Sequence, residues 1–379
     1  MKNLFIIFIG LVFIACGGYK SNDGKVMTNY ELLEAKVDSL FYTHYNKDSP
    51  GAALLIRYKG EKIISKGYGL RNLSRKQPIT SSTNFRSASL AKQFTALGVL
   101  NLMENGKLNL TDTVYNYLSY PVFEDITIEH LISHTSGLVD AEYVIKRGSQ
   151  RFLTNEDIIE WYAKNDSSRF SPGSDFEYNN GAYIILAKII EISTGLPFHE
   201  YMREKIFEKV GMTSTSFVNI SNPEAIKEKA LRYEKDRLGI WQSMEGKPRD
   251  YLIGAGGIYT NLNDYSKYVE ALRNKKIFTS KTHNLIFDPI SMNTELHSGY
   301  MSILKGRKSS YAMGWEVTDS LAVSGGEYYG VNNWVIFEYN RPLTIVILTN
   351  NNLLFKERLV DKTYKIVDRY FDTYGQQGI

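Results

Sequence analysis

The chain has 379 residues, 43% of them hydrophobic and 23% charged, with a formal net charge of +4. This is ordinary globular material, long enough for two domains or for one large domain carrying an insertion. The small net charge comes without a basic stripe, which argues against nucleic-acid binding. A single cysteine excludes an intramolecular disulfide, so the fold must rest on its core.

In chain order, residues 1–16 read as a secretion signal. Lys2 supplies the positive start, and Leu4 to Ala15 form an apolar run too short for a stable membrane span. Ala15 followed by Cys16 resembles a lipoprotein signal in which Cys16 becomes the acylated N-terminus, although Phe13 stands where leucine is more usual. Gly17 to Gly24 then form a flexible tether. Residues 1–27 are therefore expected to export the protein and hold it by lipid in the cell envelope, facing the periplasm or the exterior.

Thr28 to Tyr45 places Leu33, Val37, Leu40 and Phe41 on one side of a helix. Ala53–Tyr58 and Lys62–Lys66, joined by Lys59-Gly60-Glu61, predict a hairpin. From about Ser89 to Gly239 the signals are mainly helical. Gly254-Ala-Gly-Gly257 then makes a flexible turn, and Asn263 to Leu272 reads as a helix. Three β-like runs follow, Leu321–Val323, Trp334–Glu338 and Leu343–Thr349, the last two joined by Asn340-Arg-Pro342. A closing helix aligns Phe355, Leu359, Thr363, Ile366 and Tyr370. Two early and three late strands can share one antiparallel sheet only if the chain returns after a helical insertion. The expectation is an α/β (α+β) architecture: a five-stranded sheet flanked by terminal helices (28–86 and 250–379), a mainly helical domain (87–249), and a site at their interface.

Three short patterns carry chemistry. Ser89-Leu-Ala-Lys92 opens a helix with Leu90, Phe94, Leu97 and Leu100 at helical spacing and Asn105-Gly106 as a stop. Positions i and i+3 share a face, so the Lys92 amine is within reach of the Ser89 hydroxyl. A desolvated lysine loses its proton near neutral pH and serves as a base. Tyr178-Asn-Asn180 lies on a loop before a second helix (Ile184, Leu186, Ile189, Ile192). Its phenolate is a competent base if cations lower its pKa, and Asn180 offers an amide to a substrate carbonyl or to the lysine. Ser324-Gly-Gly326 follows a strand, where glycines mark either a bulge or close approach of a ligand. There the Glu327 N–H, with that of Ser89, would form a two-donor oxyanion hole. Each pattern is weak alone: Ser302-Ile-Leu-Lys305, Tyr259-Thr-Asn261 and His297-Ser-Gly299 repeat the letters elsewhere.

Order and flanks are more specific. Arg86-Ser-Ala-Ser-Leu-Ala-Lys-Gln-Phe-Thr-Ala96, Ile126 to Leu138, Phe176 to Tyr183, Gly254 to Tyr259 and Tyr311-Ala-Met-Gly-Trp315 together resemble the serine β-lactamase-like hydrolases. That group comprises class C β-lactamases, low-molecular-weight penicillin-binding proteins and related esterases. The resemblance spans about Asp48 to Asn350 and implies a β-lactamase/transpeptidase-like fold. It implies Ser89 as acyl-forming nucleophile, Lys92 as its base, Tyr178 as proton relay and Asn180 as a residue orienting substrate and Lys92. Ser324, Gly326 and Glu327 would border the substrate, an ester, a D-amino-acid peptide or a β-lactam; no cofactor or metal is implied. One departure matters: the third motif usually begins with lysine or histidine, and Ser324 cannot bind a substrate carboxylate by charge.

Rival readings are thinner. His130 and His134 have metal-ligand spacing on a helix, but Leu131 stands where a zinc protease needs glutamate. No Gly-x-Ser-x-Gly supports an α/β-hydrolase. The alternative from a different class is a non-catalytic lipoprotein that binds cell-wall peptides or glycans.

Overall fold

A computed structural model describes residues 29–144, 152–166, 168–218, 221, 225–292, 302 and 304–374. The expected signal and tether, Cys16 included, and His297-Ser-Gly299 lie outside the described residues.

Helix α1 (Asn29–His44) precedes the hairpin β1 (Ala52–Tyr58) and β2 (Glu61–Tyr68). The helical stretch includes α2 (Ala91–Glu104) and α3 (Asn180–Thr194), and α4 (Leu262–Arg273) follows it. The chain then lays down β3 (Ser291–Met292), β4 (Ser310–Ala312), β5 (Trp315–Val317), β6 (Leu321–Tyr328), β7 (Val331–Glu338) and β8 (Leu343–Thr349), and ends in α5 (Leu359–Tyr374). The sheet order is β3-β4-β5-β6-β7-β8-β1-β2, with every neighbouring pair antiparallel. The five expected strands are its long members. The sheet nevertheless has eight strands among the described residues, because β3, β4 and β5 are only two or three residues long and show no alternation to read.

The central strands are buried on both faces. In β1, Ala52, Leu54 and Ile56 join Val37 and Phe41 of α1 and Val367 and Phe371 of α5 in one core. Ala53 and Leu55 point the other way, into a second core with Phe94 and Leu97 of α2 and Ile184 and Ile189 of α3. Strand alternation thus sends successive residues into different cores, which is why Ala52–Ile56 of β1, Trp334–Phe337 of β7 and Ile345–Leu348 of β8 read as continuous apolar runs.

Two details differ from expectation. The closing helix is broken at Arg358 (φ 51°) into Leu353–Lys356 and α5, which leaves Phe355 43% exposed. Ile192 of α3 is 45% exposed rather than in the core stripe.

Candidate active site

A tight turn, Ala88–Leu90, leads into α2 and carries Ser89. Ala88 is held at φ 50°, a left-handed conformation unfavourable for a residue with a Cβ. α2 is buried on all sides: Ala91, Lys92, Gln93, Phe94 and Thr95 are all inside. Lys92 is therefore drawn into the core by its own helix and is 1% exposed.

The Lys92 Nζ donates to Ser89 Oγ (3.2 Å), Asn180 Oδ1 (2.7 Å) and the Ala255 carbonyl (3.2 Å). It also lies 4.7 Å from the Tyr178 ring centroid and 5.6 Å from that of Tyr183. Burial lowers its pKa from 10.5 to about 7, against the opposing fields of Glu142 and Asp140. Tyr178 is half-buried and hydrogen-bonds Ser89. Burial and the neighbouring Tyr311 push its pKa well above 10, so it is a neutral phenol. Loss of hydration is the first cause of that direction, so the condition for a phenolate base, a pKa lowered by cations, does not hold here. Ser89, Lys92, Tyr178 and Asn180 are brought together.

The third motif meets them from the other side. β6 runs through Ser324, Gly325 and Gly326 in unbroken register with β7, so it is a regular strand and not a bulge. β5 pairs only with Ala322 and Val323, leaving the later half of β6 open on that side. A Cβ on Gly326 would sit 2.5 Å from the Ser87 carbonyl oxygen and 3.1 Å from the Ser89 nitrogen. Only glycine allows this approach of the strand to the Ser89 turn. Ser324 is 3% exposed and donates its hydroxyl to the Gly314 carbonyl (2.9 Å). Glu327 is exposed at the cleft beside Glu234. The cleft is about 650 Å³, and Ser89, Tyr178, Asn180, Ser324, Gly326 and Glu327 all line it.

Several supporting residues escaped sequence reasoning. Asp140 accepts the backbone N–H groups of Asn180 (2.8 Å) and Gly181 (3.1 Å) and the Asn180 Nδ2 (3.3 Å). It thereby seats the start of α3 and turns the Asn180 carbonyl oxygen toward Lys92. Glu142, on the cleft wall, pairs with Arg249 at 2.8 Å. The resembling segment Ile126–Leu138 stops two positions before Asp140, and an acidic residue in a loop gives no signal of its own.

The histidines have separate uses. His130 caps its own short helix by accepting the Thr127 N–H (3.2 Å). His134 lies beyond that helix at φ 61° and accepts the Asn179 N–H (3.1 Å) through Nδ1. Burial and the charge of Lys92 hold His134 well below its ordinary 6.5. Among the repeated letters, Ser302 donates to Asp361 (2.5 Å), and Asn261 caps α4 by accepting the Asp264 N–H (3.0 Å).

The family model described as beta-lactamase matches residues 32–367. Penicillin-binding protein 4* of Bacillus subtilis (strain 168) is 26% identical over 331 residues, covering 83% of this chain and 71% of that protein. Among solved structures, EstCE1, a hydrolase with promiscuous acyltransferase activity, aligns at a TM-score of 0.74 and 21% identity over 89% of this chain and 99% of that one. The D-amino acid amidase from Ochrobactrum anthropi SV3 aligns at 0.72 and 21% identity, with the same coverage. The fold is the β-lactamase/transpeptidase fold. The chain belongs to the beta-lactamase family.

Proposed function

We propose that the protein is a serine hydrolase that forms an acyl-enzyme on Ser89 and hydrolyses an ester or an amide. The observation that carries this reading is a buried Lys92 amine, with its pKa lowered to about 7, 3.2 Å from the Ser89 hydroxyl. Neutral Lys92 takes the Ser89 proton as Oγ attacks the substrate carbonyl. The N–H groups of Ser89 and Glu327 hold the oxyanion. The bond to the leaving group breaks, and the proton passes through Tyr178 to that group, which departs neutral. Water then enters from the cleft, its hydroxide joins the acyl carbon, and its remaining proton returns to Ser89. Tyr178, a neutral phenol, suits this relay better than it suits a permanent base. Asn180, locked between Asp140 and Lys92, keeps the amine aimed.

Esters, D-amino-acid peptides and β-lactams are the substrate classes to screen. A fluorophosphonate probe tests the reading directly: wild type is expected to label and Ser89→Ala not to. Tyr178→Phe should still label yet turn over p-nitrophenyl acetate about 10² to 10⁴-fold more slowly. A wild type that never labels would favour the second reading, a binder of cell-wall peptides or glycans, with which the missing cation at Ser324 is consistent.

Export and lipid anchoring through Cys16 complete the proposal, resting on Lys2, the apolar run and the Ala15-Cys16 junction. Incorporation of labelled palmitate in wild type but not in Cys16→Ala is the expected outcome; equal labelling of both would refute it.

A further inference from the structure

Arg86, on the strand Phe85–Arg86 just before the nucleophile turn, is 3% exposed and lines the cleft. Its Nε and Nη1 reach no hydrogen-bond partner. Among the described residues no carboxylate pairs with it. Its guanidinium lies 4.6 Å from the Tyr328 ring centroid and 6.0 Å from that of Tyr259. Aromatic faces offset part of the cost of burying a cation but do not satisfy its N–H groups. An enclosed, unpaired guanidinium on a cleft wall is the signature of a site awaiting an anion.

The other charges nearby are already committed. Arg249, also on the cleft wall, is held by Glu142 at 2.8 Å. Arg232, 5.2 Å from the same Tyr328 ring centroid, is paired with Glu245 (2.9 Å) and Asp250 (2.7 Å). Ser324 contributes no charge. Arg86 is thus the uncommitted cation of the cleft among the described residues. Glu234 and Glu327 share the cleft and disfavour a polyanion, which leaves a single carboxylate as the fitting ligand.

We propose that Arg86 is a specificity-determining residue that binds a carboxylate on the ester or amide substrate, supplying from the strand before the nucleophile the charge that Ser324 lacks. The planar guanidinium suits a carboxylate better than a point charge would. The proposal rests on the acyl-enzyme reading of Ser89.

The test uses two pairs of thioesters, with the carboxylate on the leaving side in one and on the acyl side in the other. The second member of each pair carries a primary amide in its place. Wild type is expected to prefer the carboxylate in one pair by about tenfold or more in kcat/KM, and Arg86→Gln to lose that preference. No preference in either pair, or one that survives Arg86→Gln, overturns the proposal. If Arg86→Gln fails to label with fluorophosphonate, Arg86→Lys carries the test. KM for the carboxylate member must then rise more than for the amide member, and equal changes refute it. If wild type neither labels nor turns over any thioester, the hydrolase reading fails on its own. The subsite is then read by calorimetric binding of 3-acetamidopropanoate against its amide: a wild-type preference that vanishes in Arg86→Gln supports it, and equal binding of the two overturns it.

Discussion

At the scale of single residues, the decisive quantity is the protonation of Lys92. Because its pKa is lowered to about 7 by burial, acylation by wild type is expected to rise with pH through that value. Glu142 opposes the shift, so Glu142→Gln should move this acid limb to lower pH; a limb unmoved in rate-against-pH profiles would remove Glu142 from the electrostatics of the site. The same burial has a thermodynamic sign. Unfolded Lys92 holds its proton up to about 10.5, whereas the folded protein releases it near 7. The unfolded state therefore binds more protons across that window, and this group makes stability rise between pH 7 and 10.5. Below pH 7 its unfavourable contribution is complete. His134, held well below 6.5, adds no limb in this range. The pairing of Ser89 with Lys92 was legible from spacing alone, since i and i+3 meet on any helix. Of the groups that hold the amine, Asn180, 88 positions from Lys92, was named through its motif, whereas the Ala255 carbonyl, 163 positions away, was not. No local pattern encodes contacts of that span.

At the scale of elements, the nucleophile turn and β6 are pressed together with no room for a side chain between them. Gly326→Ala would drive a methyl group against the Ser87 and Ser89 backbone and force the strand outward. The expected result is a loss of about 10² to 10³-fold in kcat, the scale of a lost oxyanion donor, with near-UV circular dichroism little changed. Retained kcat would mean that β6 does not form the oxyanion hole. A second clamp acts from β7, where Asn333 Nδ2 donates to the carbonyls of Arg86 (2.8 Å) and Ser87 (3.1 Å). The long strands announced themselves by apolar runs, and α2 and α3 by their period and their stops. β3, β4 and β5 did not, because Tyr311-Ala-Met-Gly-Trp315 contains its own reversal. Gly314, at φ 90°, packs that turn so tightly on α2 that a Cβ there would lie 2.6 Å from the Gln93 nitrogen. Such a tertiary fit is invisible to a propensity argument.

At the scale of the whole molecule, two cores back the two faces of one sheet, and the one that holds α2 and α3 surrounds Lys92. Phe41 of α1 belongs to the other; it is 0% exposed and lies 4.7 Å from the Tyr68 ring. Phe41→Ala should cost about 3–5 kcal/mol of stability, read as a lower Tm or denaturant midpoint. The pH of the acid limb should stay where it is, because nothing in that core touches Lys92. A shifted limb would show that the terminal helices govern the site. That the sheet must be completed by a late return of the chain could be argued from the sequence; its register could not, since strands buried on both faces give no inside–outside alternation to fix which residue opposes which.

That late return has a consequence for biosynthesis. Ala52 is paired with Thr349, and the Gly51 nitrogen donates to the Asn350 side chain 299 positions onward. As the polypeptide emerges, the first hairpin keeps a bare, strongly apolar margin until β8 has been translated. Such high contact order makes folding slow and leaves an interval open to intermolecular strand association. It also means that a fragment ending before β8 has no closed sheet against which the Ser89 turn can be held.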